Sequence, residues 1–200
     1  MLKNKNKEPR QSSFLNKSGS FVIEVIKIVV ISLVIIIPIR YFLIQPFYVK
    51  GASMEPNFHD YEYLIIDEIS YRFHNAERGE VVVLEDPRSP ARFFIKRVIG
   101  LPGERMVIND SDITIFNTNY PDGVVLDEGA YLAESVKTTG KIDVTLSEDE
   151  YYVLGDNRTA SLDSRIIGPI EKGDVVGKTW IRVWPFNNMV EFDPPIYNIK

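Results

Sequence analysis

The sequence predicts a mainly β fold behind a single N-terminal transmembrane helix, and three observations carry that prediction. An apolar stretch runs from Phe21 to Ile44; after Pro46 the chain breaks into short runs of β-branched and aromatic residues; and Gly, Pro, Asn and Asp punctuate those runs with no long amphipathic helical period.

As a helix, the 24 residues from Phe21 to Ile44 extend about 36 Å, enough to cross a hydrocarbon core of about 30 Å. Glu24, Lys27 and Arg40 are the only charges in it, and Ile28 to Ile39 carries none. A cleaved secretory signal needs small residues after its apolar core. Here Arg40-Tyr-Phe-Leu-Ile-Gln-Pro-Phe-Tyr is bulky throughout, so the stretch reads as a lipid-embedded anchor in preference to a cleaved signal or a buried core helix. Lys3, Lys5, Lys7, Arg10 and Lys17 precede it against Glu8 alone, which places the N-terminus in the cytoplasm and the rest outside the cell membrane.

The β runs are Tyr61 to Asp67, Val81 to Glu85, Arg92 to Ile99, Met106 to Ile108, Ile113 to Phe116, Tyr151 to Leu154 and Val175 to Trp184, with a hairpin turn expected at Asn109-Asp-Ser-Asp. Between the third and sixth runs the chain is richer in Asn, Asp, Thr and Gly, as an insertion would be. The expected organisation is a basic tail over 1–20, the anchor over 21–44, a core over 45–104 and 149–190, an inserted smaller β subdomain over 105–148, and a C-terminal tail over 191–200. Asp193-Pro-Pro-Ile-Tyr reads as a loose end.

Composition closes several routes to function. The whole chain has a net charge of −5, and because its first 20 residues hold five basic residues against one acid, the remainder carries −9, which argues against nucleic acid as a partner. There is no cysteine, and the two histidines, His59 and His74, have no metal-ligand spacing, so neither a thiol nucleophile nor a metal or other cofactor is expected. His59, beside Asn57 and Asp60, reads as a turn residue.

Three segments can carry chemistry. Ser53 lies in Val49-Lys-Gly-Ala-Ser-Met-Glu-Pro, directly after the anchor. Such a turn can present a hydroxyl and aim backbone N–H groups at a carbonyl, though ordinary turns share its composition. Phe93-Phe-Ile-Lys-Arg-Val-Ile-Gly reads as a strand whose alternation puts Phe94, Lys96 and Val98 on one face. A strand lysine usually keeps its amine in water, yet a desolvated lysine can accept a serine proton. At its ordinary pKa of about 10.4 only about one lysine in 2,500 is neutral at pH 7, and burial removes most of that penalty. Leu154-Gly-Asp-Asn-Arg-Thr-Ala-Ser-Leu-Asp-Ser-Arg is a polar loop in which Asp163 and Arg165 can pair, Asp156 can accept backbone N–H groups, and Arg97 can join the network; a merely solvated turn is the alternative.

Together Gly51-Ala-Ser-Met-Glu-Pro, Phe94-Ile-Lys-Arg-Val-Ile-Gly-Leu-Pro-Gly-Glu and Gly155-Asp-Asn-Arg-Thr-Ala-Ser-Leu-Asp-Ser-Arg, in this order behind an anchor, resemble the bacterial type I signal peptidases (leader peptidases). The resemblance implies a β-rich core with an inserted second β-domain and a membrane-bound serine endopeptidase. It further implies Ser53 as nucleophile, Lys96 as general base and Ser161 as the residue that orients the amine. Arg97, Asp156, Asp163 and Arg165 would shape the site. The Ser53 backbone N–H would form part of an oxyanion hole, while Gly51 stands where some members carry a second, hydroxyl donor. Asn57 stands where threonine is common. Substrates would be exported preproteins with small residues at −1 and −3, held in shallow pockets lined by Phe47, Val49, Met54, Leu64 and Ile95. Two other readings stay open: a self-cleaving repressor-type Ser–Lys protease, expected to carry a DNA-binding domain instead of an anchor, and a membrane-tethered, catalytically silent peptide binder.

Overall fold

Val81, Val82, Val83 and Leu84 are all buried, and strand alternation sends them to opposite faces, so the strand that holds them has core on both sides. The rest of the fold is arranged around that strand. The computed structural model describes residues 12–42, 44–195 and 197, and the chain divides into two compact units, Met1–Phe42 and Leu43–Lys200.

In the first unit, helix α1 spans Ser12–Phe42, beginning earlier than the expected anchor. Its large side chains from Phe21 to Ile37 are exposed. Among the described residues no helix is long and apolar enough to cross a membrane. Residues 1–11 of the expected basic tail lie outside the described residues.

The second unit runs β1 (Ile44–Tyr48), β2 (Tyr63–Asp67), α2 (Ser70–Phe73), β3 (Val81–Asp86), β4 (Ser89–Gly100), β5 (Arg105–Asn109), β6 (Asp112–Phe116), β7 (Val124–Val125), β8 (Lys141–Thr145), β9 (Glu150–Leu154), α3 (Ser164–Ile167), β10 (Ile170–Glu171), β11 (Val175–Trp184) and β12 (Val190–Glu191). The larger sheet has the order β1-β2-β11-β3-β4-β9-β10, with β12 added on β11, and a four-stranded sheet has the order β7-β6-β5-β8. Every pairing is antiparallel. The fold is therefore mainly β. All seven expected runs are strands; β1, β7, β8, β10 and β12, which the sequence pattern did not reveal, are short, polar or at sheet edges. Pro46 is tolerated in β1 because that strand lies at an edge.

Three apolar clusters hold the sheets. Val49, Met54, Phe58, Leu64, Ile66, Val81 and Val83 form one; Val82, Leu84, Val98, Tyr151, Val153 and Ile170 form another. The third joins the two sheets, with Ile99, Tyr152 and Leu154 packed on Met106, Ile108, Ile113 and Ile115. The hairpin at Asn109-Asp-Ser-Asp is present, with Asn109 opposite Asp112 and Asp110 in the left-handed region at φ 56°.

The C-terminal segment is not loose. Phe192 packs on Phe58 with ring centroids 4.6 Å apart, and Tyr197 packs edge-on to Tyr131 at 6.1 Å, its hydroxyl 3.3 Å from that of Tyr131. Aromatic burial overrides the extended, proline-rich local pattern that suggested a tail.

Ile108 is 1 % exposed in the cluster that joins the sheets. Ile108→Ala is expected to cost about 2–5 kcal/mol in urea unfolding, the range for a large-to-small core change.

Candidate active site

Residues 52–58 form a tight turn because successive backbone groups can bond locally: Glu55 N–H donates to the Ala52 carbonyl at 3.2 Å, and the Asn57 and Phe58 N–H groups both donate to Met54 O at 3.0 Å. Met54 and Phe58, each 1 % exposed, root the turn in the core and leave Ser53 at its surface. Gly51 enters the turn at φ 92°, a conformation that favours glycine, and its N–H donates to Asp60 Oδ1 at 2.8 Å.

Lys96 is reached from a different direction. It lies opposite Val82 in the β3–β4 ladder, between Phe94 and Val98, which both pack into the cluster of Val82 and Leu84. The alternation read from the sequence therefore brings apolar neighbours to the amine, which lies 5.3 Å from the Phe94 ring centroid. Lys96 is 2 % exposed, its Nζ is 2.9 Å from Ser53 Oγ, and it donates to the Ile95 carbonyl at 2.7 Å. Burial lowers its pKa to about 8, against the opposing pull of the Asp163 and Asp156 carboxylates.

Those carboxylates are themselves neutralised. Arg97 Nε and Nη2 donate to Asp156 at 2.8 and 2.6 Å in a buried fork, and Nη1 donates to the Gly79 carbonyl at 2.8 Å. Asp156 thus accepts from side chains, not from the backbone of its own turn as expected, because the strand bearing Arg97 faces it directly. Although burial opposes charge on Arg97, the Asp156 hydrogen bond holds its pKa above the ordinary value. The turn-capping role falls to Asp163, which accepts from the N–H groups of Gly155 and Arg165 at 3.0 and 3.3 Å and from Arg165 Nε and Nη2 at 2.9 and 2.8 Å. Burial pushes Asp163 up, but the Arg165 bonds win and hold it below the usual carboxylate range.

Ser161 Oγ is buried beside the Asp163 carboxylate, which its hydroxyl helps hold below the usual range, and it makes no bond to the Lys96 amine among the described residues. It lies beside Gly155, where an added Cβ would meet Ser161 Oγ at 2.1 Å and the Ser53 carbonyl oxygen at 2.5 Å. Glycine at 155 is therefore required by close packing of the two loops. His59 is exposed, 3.9 Å from Glu55.

Beside Ser53 and Lys96 opens a cavity of about 100 Å³, well below the roughly 300–1,000 Å³ of a drug-sized site. Phe47, Val49, Leu64 and Ile95 line it, joined by Val83, Phe93 and Phe94; Met54 does not, being turned into the core. Phe47 and Phe93 close one side edge-to-face, 5.5 Å apart. Along this cavity β4 has a free edge, since β9 pairs with it only from Arg97 onward.

Several residues of the site were invisible to sequence reasoning. Asn57 Nδ2 donates to Asp156 Oδ2 at 2.8 Å and to the Tyr131 carbonyl at 2.9 Å. Asn157 donates through its N–H to the Ser53 carbonyl and through Nδ2 to that of Ala52, both at 3.1 Å. The Arg158 guanidinium, fully buried, forks onto Glu128 at 2.6 and 2.7 Å. The adjacency of Asn157 and Arg158 to Asp156 was a usable signal, and so was Asn57 in a position where threonine is common; Glu128 and Tyr131 gave none.

Residues 22–184 match the family model described as signal peptidase, peptidase S26. The chain is 36 % identical over 168 residues to the probable signal peptidase I-2 of Synechocystis sp., covering 82 % of this chain and 73 % of that one. It is 35 % identical over 182 residues to signal peptidase I of Bacillus licheniformis, covering 89 % and 96 %, and 34 % identical over 173 residues to signal peptidase I T of Bacillus subtilis, covering 82 % and 86 %. The chain belongs to the signal peptidase family S26 and is a serine endopeptidase of that family.

Arg97 and Asp156 are 5 % and 1 % exposed. Arg97→Met, which strands a buried carboxylate, is expected to lower unfolding stability by about 3–5 kcal/mol, and Arg97→Met with Asp156→Leu by clearly less. Chemical denaturation of the two variants checks both.

Proposed function

We propose that this enzyme removes N-terminal signal peptides from exported preproteins, with Ser53 as nucleophile and Lys96 as general base. The observation that carries the reading is the 2.9 Å approach of a buried lysine amine to a serine hydroxyl. With a pKa of about 8, about a tenth of Lys96 is neutral at pH 7, against less than a thousandth of an ordinary lysine. One N–H is held by the Ile95 carbonyl, which leaves the lone pair free to face Ser53 Oγ.

Neutral Lys96 takes the Ser53 proton as Oγ attacks the scissile carbonyl carbon. The Ser53 N–H stabilises the oxyanion, with the open backbone at Gly51 beside it. Lys96 returns the proton to the departing amine of the mature protein, leaving an ester to the signal peptide. A water that gives its proton to Lys96 then hydrolyses the ester and restores the serine. Arg97, Asp156, Asp163 and Arg165 hold the loops around the pair in this scheme, and Ser161, whose Oγ is not bonded to the amine, would have to turn toward Lys96 to orient it.

The free edge of β4 at Phe93–Lys96 suits an extended substrate added as a strand. The small apolar cavity favours short side chains at −1 and −3, and Phe47, Val49, Leu64 and Ile95 line it. The apolar Phe21–Ile44 stretch, with exposed side chains in α1 from Phe21 to Ile37, supports a single-pass anchor with the N-terminus cytoplasmic and the catalytic unit outside. Tethering enzyme and preprotein to one bilayer would raise their effective concentration.

The test is cleavage of a synthetic signal-peptide substrate by the detergent-solubilised protein. Ser53→Ala and Lys96→Met are expected to reduce turnover at least about 10³-fold; wild-type rates in either variant overturn the mechanism. Because the base must be neutral, kcat/KM is expected to rise with pH through about 8 and then level. A profile flat from pH 6 to 10 contradicts Lys96 as the base.

A further inference from the structure

The nucleophile turn and the strand of Lys96 come from separate parts of the chain, so something must set one against the other. No hydrogen bond other than that of the reacting pair itself joins Ser53 to β4 directly among the described residues. The connection runs through the 155–157 loop, which joins the turn at two places: Asn157 donates to the Ser53 and Ala52 carbonyls, and Asn57 donates to Asp156, the carboxylate that also holds Arg97.

Asn57 lies four residues after Ser53 in the same turn, with its N–H bonded to the Met54 carbonyl at 3.0 Å and its own carbonyl accepting from Arg182 Nη2 at 2.7 Å. Arg182, on β11, is itself braced by Glu62 at 3.1 Å and by the rings of Phe58 and Phe192 at 5.6 and 5.2 Å. The backbone of Asn57 is thus fixed to the sheet. Its side-chain amide then donates both hydrogens: one to Asp156 Oδ2, which also accepts from Arg97 Nη2, and one to the carbonyl of Tyr131, whose ring lies 4.0 Å from the Arg97 guanidinium. Arg97 is covalently next to Lys96. One carboxylate is therefore shared by the turn that carries the hydroxyl and the strand that carries the amine.

Resting on the reading of Ser53 and Lys96 as the reacting pair, we propose that Asn57 is a positioning residue: its amide, bridging Asp156 and the Tyr131 backbone, holds the Ser53 hydroxyl in register with the Lys96 amine. The chemistry selects asparagine. Two acceptors, one a carboxylate and one a carbonyl, require two N–H donors from a single planar group. Aspartate would place a second carboxylate against Asp156, leucine would leave Asp156 Oδ2 to Arg97 alone and the Tyr131 carbonyl without its amide donor, and threonine offers one donor for the two. Asn57 lines none of the cavity in which substrate side chains would sit, so its loss acts on turnover and not on substrate capture.

The experiment compares wild type with Asn57→Ala, Asn57→Thr and Asn57→Asp in steady-state cleavage of a signal-peptide substrate, with thermal unfolding of each. Asn57→Ala is expected to lower kcat about tenfold or more with KM within about twofold, Asn57→Thr to recover part of the loss, and Asn57→Asp to be the worst. The acid limb of the pH profile should remain in place, since the lysine surroundings are unchanged. Wild-type kcat in Asn57→Ala, or a loss confined to KM, overturns the inference while leaving the dyad intact. Equal losses in the alanine and threonine variants, tracking only their unfolding temperatures, overturn it as well. If Ser53→Ala cleaves as well as wild type, the dyad reading itself fails and this inference with it.

Discussion

An ammonium group gives up several kcal/mol of hydration when it is taken out of water, and the fold imposes that loss on Lys96. The side chain has nowhere else to go: alternation in β4 places it between Phe94 and Val98, and the neighbouring strands are buried. Neutrality costs less there than in water, with the amine held at a pKa of about 8, so the lowered basicity of the site is a consequence of sheet packing. The hydroxyl of Ser53 at 2.9 Å is one of two polar atoms the amine bonds among the described residues.

Desolvation alone would not suffice if nearby carboxylates kept the amine charged. Asp156 and Asp163 both act in that direction. Each is occupied by a guanidinium fork, Asp156 by Arg97 and Asp163 by Arg165, which spreads its charge over planar donors and leaves little to attract a proton to the lysine. Arg158 and Glu128 repeat the device further back, tying the 155–165 loop to the segment between β7 and β8. Buried ion pairs of this kind contribute little net stability compared with apolar packing. Their effect is to fix loop geometry and to quiet the local field.

The seven principal strands were legible because β-branched and aromatic runs such as Val81–Leu84 and Val175–Trp184 declare themselves. The short strands were not, since pieces like Lys141–Thr145 are polar and owe their conformation to a ladder partner distant in sequence. Within the site, Ser53 and Lys96 stood out through their motifs, and the Asp163–Arg165 pair through simple spacing. Tyr131 and Glu128 did not, because their partners lie far along the chain and no local pattern encodes a contact across such separations. The C-terminal segment misled for a related reason: two prolines suggest a loose end unless one knows that Phe58 and Tyr131 wait for Phe192 and Tyr197.

That last feature bears on how the active geometry comes into being. Phe192 covers the Phe58 ring at the foot of the Ser53 turn, and Tyr197 backs the tyrosine that lies on Arg97. Both contacts join residues far apart in sequence, the kind of contact that forms slowly and together. The turn of Ser53 and the strand of Lys96 are thus fully braced only once these distant segments have docked on one another.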